Sequence, residues 1–156
     1  MAASEARHPT EGSDWTLRNL RPEDYDELLD LWTAADLPFR PLGRDAREHI
    51  THELGGPCSV FLGAEADDRL LGAVLGTHDG RKGWINRLAV RPECQLRGIG
   101  ASLIAALEMR FRSLGLDVIA CLIEDWNGRS QEVFERLGYQ AHHDITYFTK
   151  RSSDTA

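Results

Sequence analysis

A short apolar stretch of the chain runs through a turn with two glycines into a predicted helix. The stretch covers residues 88–90, and Gly98 and Gly100 lie at the start of the helix. The first turn of a helix leaves N–H groups without intrahelical acceptors, and the helix dipole adds positive charge there. Glycines keep Cβ atoms away from those groups, and Arg91 and Arg97 lie close enough in sequence to add charge. The spacing therefore predicts a site for a diphosphate.

Two common phosphate-binding patterns do not fit this loop. A P-loop requires Lys followed by Ser or Thr after its last glycine, whereas Ala101 and Ser102 follow Gly100 here. A dinucleotide-binding loop requires a third glycine three residues further on, where this chain has Leu103. The ligand is therefore predicted to be a phosphate compound of another class.

The loop and a later stretch resemble two motifs of the GNAT acetyltransferase superfamily. Residues 95–100, Gln-Leu-Arg-Gly-Ile-Gly, match the superfamily's acyl-CoA loop, Gln/Arg-x-x-Gly-x-Gly/Ala. Residues 127–139, Asn-Gly-Arg-Ser-Gln-Glu-Val-Phe-Glu-Arg-Leu-Gly-Tyr, resemble its Asn-x-x-Ala-x-x-Leu-Tyr-x-x-x-Gly-Phe. Because both motifs occur in the right order, the chain resembles a small, stand-alone, bacterial-type member.

The resemblance implies a single α/β domain of the α+β type, with a mixed, mostly antiparallel sheet. We expect six to seven strands, splayed at the acyl-CoA cleft and flanked by about four helices. The run 118–123 is continuously apolar, which is typical of a strand buried on both faces. Residues 139–150 are predicted to carry a last pair of short strands. The expected division is a tail over 1–13, the domain over 14–151 and a second tail over 152–156.

The resemblance also implies acetyl-CoA as co-substrate. In this superfamily pantetheine enters the gap between the strand before the loop and the next strand, where main-chain groups bind it and one N–H polarises the thioester oxygen. The diphosphate lies over the loop amides. The positions that correspond to the coenzyme site are Leu88, Ala89, Val90, Gln95, Leu96, Arg97, Gly98, Ile99, Gly100, Ala101, Ser102, Asn127, Ser130 and Phe134.

The chain departs from the superfamily at its proton donor. Phe134 stands where the motif usually has a tyrosine whose hydroxyl approaches the coenzyme sulfur. Tyr139 aligns instead with the motif's terminal aromatic, which is normally a packing residue. Loss of a general acid typically costs about 10²–10⁴-fold in rate, and a thiolate is a tolerable leaving group. We therefore predict that water protonates the thiolate.

The general base is predicted among few candidates, because the strand before the loop offers Asn86 and Arg87 rather than a carboxylate. Glu124 and Asp125, just after the run 118–123, are the first candidates, with Glu124 preferred, and His78, at the end of an earlier strand, is the next. The histidines elsewhere lack zinc-ligand spacing, so no metal site is predicted.

Size and charge limit the remaining properties. The chain has 156 residues, which favours a single domain, and its net charge is −7. Its three cysteines have the spacing neither of a disulfide framework nor of a metal site, which favours a reducing cytoplasm. Neither a nucleic-acid-binding face nor a membrane-spanning segment is expected. Acidic residues dominate 23–36, which is typical either of a solvated helix face or of a surface that attracts a cationic amine. Both interpretations stay open.

Two functions follow from these patterns. The first is an acetyl-CoA-dependent N-acetyltransferase that acts directly on an amine acceptor, either a small molecule or a peptide or protein N-terminus. The alternative is a non-catalytic acyl-CoA-binding or regulatory module, which Phe134 and the missing strand carboxylate keep open. A homodimer is one candidate assembly.

Overall fold

The computed structural model describes residues 14–156, and within them five strands and four α-helices follow one another. The strands are β1 (Thr16–Asn19), β2 (Ser59–Ala66), β3 (Arg69–His78), β4 (Lys82–Val90) and β5 (Val118–Cys121). The α-helices are α1 (Tyr25–Ala34), α2 (Arg47–Leu54), α3 (Ile99–Ser113) and α4 (Gly128–Arg136), with short 3₁₀ turns at Pro22–Asp24 and Pro92–Cys94. None of the helices in this part of the chain has the length and apolar run needed to cross a bilayer.

The strands form one sheet in the order β1-β2-β3-β4-β5. The first four are antiparallel neighbours, and β5 pairs parallel with β4 after the crossover through α3. A two-residue turn joins β2 to β3, and both of its residues, Asp67 and Asp68, have positive φ angles of 50° and 57°. That geometry suits the twist of a tight hairpin. The sheet is therefore mixed and mostly antiparallel, as predicted.

Each face of the sheet is covered by its own pair of helices. Leu103, Leu107 and Phe111 of α3 pack on one face, and Phe134 of α4 joins the same buried cluster. The second cluster includes buried residues of α1 and α2 and covers the opposite face. At Gly83 the close approach requires glycine, because a Cβ there would lie 2.4 Å from Cδ2 of Phe111. The sheet thus separates two cores.

The C-terminal part differs from the prediction in two ways. The sheet has five strands rather than six to seven, because residues 139–150 form no strand. Consequently β5 has β4 as its one partner in the described chain, and Val118 is half exposed instead of buried on both faces. The expected tail 1–13 lies outside the described residues.

Candidate active site

Strand β4 continues beyond its parallel neighbour. Pairing with β5 stops at Ile85 and Cys121, whereas β4 extends to Val90. At the same point the register with β3 shifts, and Asn86 is the extra residue of a β-bulge. A bulge bends the strand and increases its twist. Residues 86–90 therefore diverge from residues 122–127, and we call the gap between these two segments the cleft.

The ladder between β3 and β4 determines which main-chain groups face this cleft. The N–H of Arg91 donates to the carbonyl of Leu71 at 2.8 Å. Hydrogen-bonded pairs alternate in an antiparallel ladder, so Ala89 is also paired with β3. The N–H and C=O groups of Leu88 and Val90 then point away from β3, into the cleft. Of the three predicted positions, two thus direct main-chain groups into the cleft.

The N-terminus of α3 lies beside those groups. The first helical bond runs from the Ser102 N–H to the Gly98 carbonyl at 3.0 Å, and no side chain caps the helix. The N–H groups of Ile99, Gly100 and Ala101 therefore have no acceptor among residues 14–156. A Cβ at Gly100 would lie 3.6 Å from Cγ2 of Val90, so this glycine faces the splayed part of β4. Free amides of α3 and of β4 thus converge.

Two loop residues, Leu96 and Gly98, adopt left-handed backbone conformations. Gly98, the N-cap of α3, has φ of +80°, a conformation that favours glycine. Leu96 has φ of +66°, and its side chain is fully exposed. This backbone turns the chain from β4 into α3 and leaves the loop amides at the surface of the cleft.

A chain of side chains joins β4 to α4 at the mouth of the cleft. Gln95 Nε2 donates to the Val90 carbonyl at 3.4 Å, and its Oε1 accepts from Arg129 Nη2. Asn127 caps α4, since its Oδ1 accepts the Ser130 N–H at 3.2 Å. Arg129 was not among the predicted site residues, although it lies within the second motif. Its place in the site becomes visible only through its contact with Gln95.

The two arginines near the loop have different surroundings. Arg91 is buried, and its Nε donates to the Leu70 carbonyl while its Nη2 pairs with Asp30 of α1. Arg97 pairs with Asp14 at the surface. The prediction that both arginines add charge at the loop is therefore wrong for Arg91, because strand β4 directs its side chain to the α1 face.

The aromatic residues of the second motif pack together. Phe134 is buried, and its ring meets that of Tyr139 edge-on at 5.1 Å. The Tyr139 hydroxyl donates to Glu108 Oε1 at 2.7 Å. Burial, reinforced by that carboxylate, raises the pKa of Tyr139. Its proton is thus held on the α3 side, as expected for a packing residue.

Burial also affects Cys121, the last residue of β5, where the cleft opens. It raises the pKa of this thiol to about 11. The thiol therefore stays protonated at neutral pH, and it is not an activated nucleophile.

The opposite face of the sheet carries a buried ion pair next to the cleft. Arg87 of β4 stacks on Trp32 at 4.6 Å and donates to Asp45 and to the Pro38 carbonyl, both at 2.6 Å. Burial lowers the pKa of Arg87, although the Asp45 carboxylate opposes that shift. The pair holds the loop between α1 and α2 against β4. Sequence reasoning did not identify this contact, because its members lie far apart along the chain.

A cavity of about 350 Å³ lies beside this loop. Its lining residues are Trp32, Thr33, Asp36, Leu37, Pro38 and Phe39.

The two predicted bases lie in different places. Glu124 is exposed in the turn that follows β5, where its carbonyl accepts the Asn127 N–H at 2.9 Å, so it borders the cleft. His78 lies against the Pro57 carbonyl at 3.1 Å and against Phe111. It is four residues along β3 from the partner of Leu88, about 13 Å at the usual strand rise. The structure does not bring His78 to the cleft.

Most acidic side chains between residues 23 and 36 are bound within the protein. Asp26 pairs with Arg47, Asp30 with Arg91, and Asp24 with Arg18. Glu27 accepts the Leu70 N–H at 2.5 Å. These contacts favour a structural role for the acidic run over attraction of a cationic substrate. Within residues 14–156, no three His, Cys, Asp or Glu side chains are grouped so that they could hold a metal ion.

Several solved structures share this fold. PaiA N-acetyltransferase from Thermoplasma acidophilum, in complex with coenzyme A, is 20% identical with a TM-score of 0.75, covering 85% of this chain and 94% of its own. Aminoglycoside N-acetyltransferase AAC(6′)-Iy, in complex with CoA, is 20% identical with a TM-score of 0.75. The match covers 92% of this chain and 99% of that enzyme's chain. Ribosomal-protein-alanine N-acetyltransferase from Brucella melitensis biovar Abortus 2308 is 18% identical with a TM-score of 0.65. The match covers 88% of this chain and 98% of that enzyme's chain.

At these identities the likeness concerns the fold, and the family follows from the sequence itself. The model of the acetyltransferase (GNAT) family matches residues 18–139, which is most of the chain and includes both motifs. The chain therefore belongs to the acetyltransferase (GNAT) family and is an N-acetyltransferase.

Proposed function

We propose that this enzyme transfers an acetyl group directly from acetyl-CoA to an amine, with the coenzyme bound in the cleft. The observation that carries the proposal is the convergence of free N–H groups at one place. Leu88 and Val90 direct main-chain groups into the cleft, and the first turn of α3 adds three unpaired amides. Two of the structurally similar enzymes contain coenzyme A, which supports the same ligand here.

The residues around the cleft suit the parts of this coenzyme. A diphosphate is stabilised by the amides of Ile99, Gly100 and Ala101, because they lack acceptors and lie at the positive end of the helix dipole. Gly100 leaves the space between α3 and β4 free of a side chain. The pantetheine amides can hydrogen-bond to Leu88 and Val90 as a neighbouring strand would. Bound acetyl-CoA supplies the activated acetyl group as a thioester.

Two proton transfers accompany the reaction, and we assign them to water and to Glu124 at the border of the cleft. Phe134 has no proton to give and Tyr139 holds its own on Glu108, so water protonates the departing thiolate. Glu124 is the carboxylate that we propose accepts the amine proton through water, since it borders the cleft. An amine-bearing small molecule or a peptide N-terminus enters from the α1–α2 side, where Arg87 and Asp45 hold the loop in place.

A thiol-release assay tests the reaction. The protein is incubated with acetyl-CoA and a panel of polyamines, amino acids, aminoglycosides and N-terminal peptides, and free coenzyme thiol is recorded. At least one acceptor should give amine-dependent release together with an acetylated product by mass spectrometry. Coenzyme binding without turnover on every acceptor class would contradict the catalytic proposal and favour a binding module.

Gly100→Val tests the binding site independently of the acceptor. A Cβ at this position makes only ordinary contacts with the protein, but further methyl groups occupy the space beside the free amides. We expect coenzyme affinity, measured by calorimetry, to fall at least about tenfold, which corresponds to 1.4 kcal/mol.

Gly55→Ala at the C-cap of α2 is the control for Gly100→Val. It adds a Cβ that makes one ordinary contact, at 3.8 Å from the His52 carbonyl oxygen, away from the cleft, and it should leave the affinity unchanged. We prefer position 100 to Gly98 because the φ of +80° at Gly98 would strain any replacement. Unchanged affinity in a folded Gly100→Val variant would argue against the cleft.

A further inference from the structure

The loop between α1 and α2 forms one wall of the cavity of about 350 Å³. Leu37, Pro38 and Phe39 belong to this wall, and the centroid of the Phe39 ring lies 5.8 Å from that of Trp32. The indole N–H of Trp32 is buried and has no acceptor within residues 14–156. Buried polar groups are normally paired, so the cavity favours a ligand that brings an acceptor atom. The position of the loop therefore decides the shape of a ligand site.

Hydrogen bonds within the fold fix this loop from the side of the sheet. Arg87 of β4 donates to the Pro38 carbonyl and to Asp45 Oδ2. The same carboxylate oxygen accepts the Arg40 N–H at 2.7 Å. The Tyr25 hydroxyl of α1 donates to the Asp45 carbonyl at 2.8 Å. The loop is thus tied to β4 and to α1.

A second set of contacts reaches the same loop from a distant part of the chain. Arg40 Nη1 donates to the Asp154 carbonyl at 2.6 Å, and the two residues are 114 positions apart. A Cβ at Gly43 would overlap the Thr155 carbonyl oxygen, whereas its nearest atom outside Thr155 would be Arg40 Cβ at 3.7 Å. Gly43 does not have a positive φ angle. Glycine is therefore needed at this position for the close approach of Thr155 and not for its own backbone conformation.

The segment that touches the loop is folded into a turn. The Ala156 N–H donates to the Ser153 carbonyl at 3.3 Å, and the Ala156 carbonyl accepts from Arg151 Nη1 at 2.8 Å. These bonds fold the segment back on itself, and the Thr155 carbonyl lies against the loop. We call residues 153–156 the clasp.

We propose that the clasp positions the loop between α1 and α2 for binding of the amine acceptor. Asp154 and Thr155 are positioning residues, since they touch the loop and not the reacting atoms. This inference rests on the proposed function, in which the acceptor enters from the side of this loop. Arg87 ties the loop to β4 and the clasp contacts it from outside, so the cavity wall is held from two directions.

Release of the clasp would leave the acceptor to order the loop. An acceptor that must fix even one additional backbone residue is expected to bind about fivefold or more weakly. The proposed coenzyme site is formed by β4, α3 and α4 and does not include this loop. Loss of the clasp should therefore raise the KM for the acceptor, while kcat and coenzyme affinity stay nearly the same.

Gly43→Ala tests the clasp in the full chain, because the added Cβ conflicts with Thr155 alone. Steady-state kinetics use the amine that gives the fastest thiol release with the wild type. The KM for this amine should rise about fivefold or more, and kcat should stay within about twofold. Gly55→Ala, the same substitution with only an ordinary contact, is the matched control and should change neither. An unchanged KM in Gly43→Ala, or a KM that falls, would overturn the proposal.

A chain that ends at Ser152 shows whether the effect of Gly43→Ala comes from the clasp. Without residues 153–156, the KM for the amine should rise as it does in Gly43→Ala. Adding Gly43→Ala to the shortened chain should change nothing further, because the new Cβ no longer meets Thr155. Additive effects of the two changes would overturn the proposal, since they would place the cause within the loop itself. Circular dichroism confirms that the variants fold.

Hydrogen exchange separates a failure of the clasp from a failure of the proposed function, because it requires neither acceptor nor coenzyme. The amides of Asp45 and Ala46 are bonded within the loop, to the carbonyls of Arg40 and Gly43. They should exchange about fivefold or more faster in Gly43→Ala and in the shortened chain than in the wild type. Unchanged exchange would overturn the clasp. Faster exchange, together with no turnover of any acceptor by the wild type, would contradict the proposed function and with it the role of the clasp in acceptor binding.

Discussion

At Phe134 a buried ring occupies the position that usually supplies a hydroxyl. The ring packs edge-on against Tyr139, whose own proton is bound by Glu108. The residue therefore completes the core below α4 and donates nothing to a leaving group. Its role in the structure is that of a packing side chain.

Phe134→Tyr should raise turnover. The variant keeps the ring and adds a proton donor, so kcat should rise by up to about 10²-fold, with little change in coenzyme affinity. Steady-state kinetics and calorimetry measure the two quantities. Tyr139→Phe is the control and should not lower kcat by more than a small factor, because that hydroxyl is engaged with Glu108. No gain in a folded Phe134→Tyr variant would show that proton donation does not limit the reaction.

Glu124→Gln should lower kcat by about 10²-fold or more if this carboxylate accepts the amine proton. Asp125→Asn, one residue further along the same exposed turn, and His78→Gln, distant from the cleft, should leave kcat within a few-fold of the wild type. Coenzyme affinity, measured by calorimetry, separates a lost base from a distorted fold, since only a distorted fold should weaken coenzyme binding in the cleft. Equal activity of Glu124→Gln and wild type would exclude this assignment.

At the scale of elements, side chains of β1, α1 and β4 connect segments that are distant in the chain. Arg91, directly after β4, pairs with Asp30 of α1, and Arg87 links β4 to the loop between α1 and α2. Asp30 is exposed, but Arg87 and Asp45 are both buried. Removing one partner of such a buried pair typically costs about 3–5 kcal/mol, because the other charge stays buried. The acidic run that precedes and forms α1 is therefore part of the framework that holds α1 against neighbouring segments.

Asp24 makes this framework sensitive to acid. Burial alone would raise the pKa of its carboxyl, but two bonds from Arg18, at 2.7 and 2.8 Å, and one from the Arg21 N–H lower it on balance. A lowered folded pKa means that the unfolded chain takes up the proton first. The stabilisation by Asp24 is therefore present above about pH 4 and is lost as the pH falls through the folded value.

Urea unfolding between pH 6 and pH 3 measures this effect. The wild type should lose stability on acidification, and Asp24→Asn should be less stable at pH 6 but show a shallower loss below about pH 4. Asp26→Asn, whose partner Arg47 is exposed, is the control and should change the profile little. Parallel profiles for wild type and Asp24→Asn would contradict the role of this carboxyl.

For the whole molecule, the cleft is where three elements from the second half of the chain meet. β4, α3 and α4 contribute main-chain groups or side chains, and Gln95 with Arg129 is the contact that bridges β4 and α4 at its mouth. A ligand that touches all three should therefore couple them and stabilise the folded state.

Coenzyme A should raise the melting temperature of the enzyme. At a concentration 100 times its Kd, a ligand stabilises by about 2.7 kcal/mol, which is about 5–10 °C for a domain of this size. Scanning calorimetry measures the shift, and Gly100→Val should abolish most of it. ATP, which has phosphates but no pantetheine, should give a smaller shift. No shift with coenzyme A at millimolar concentration would argue against the proposed site.

Local patterns predicted the elements on which the cleft is built. The hairpin, the strand ending at Val90 and the glycine-started helix all appear where the apolar periodicity and the glycines place them. The Asn127 cap of α4 was also visible, because a cap depends on residues three positions apart. These features could be predicted since the interactions that define them lie within a few residues.

The sequence by itself thus determined the family, the antiparallel hairpins and a helix start of the type that can bind phosphate. Only the tertiary structure decided that Leu88 and Val90 face the cleft, that Arg91 turns to α1 and that Arg129 reaches Gln95. It also left β5 with an open edge where the sequence predicts a buried strand. The physical reason is that a side chain's partner is set by which distant segments pack beside it, and residue spacing carries no record of that choice.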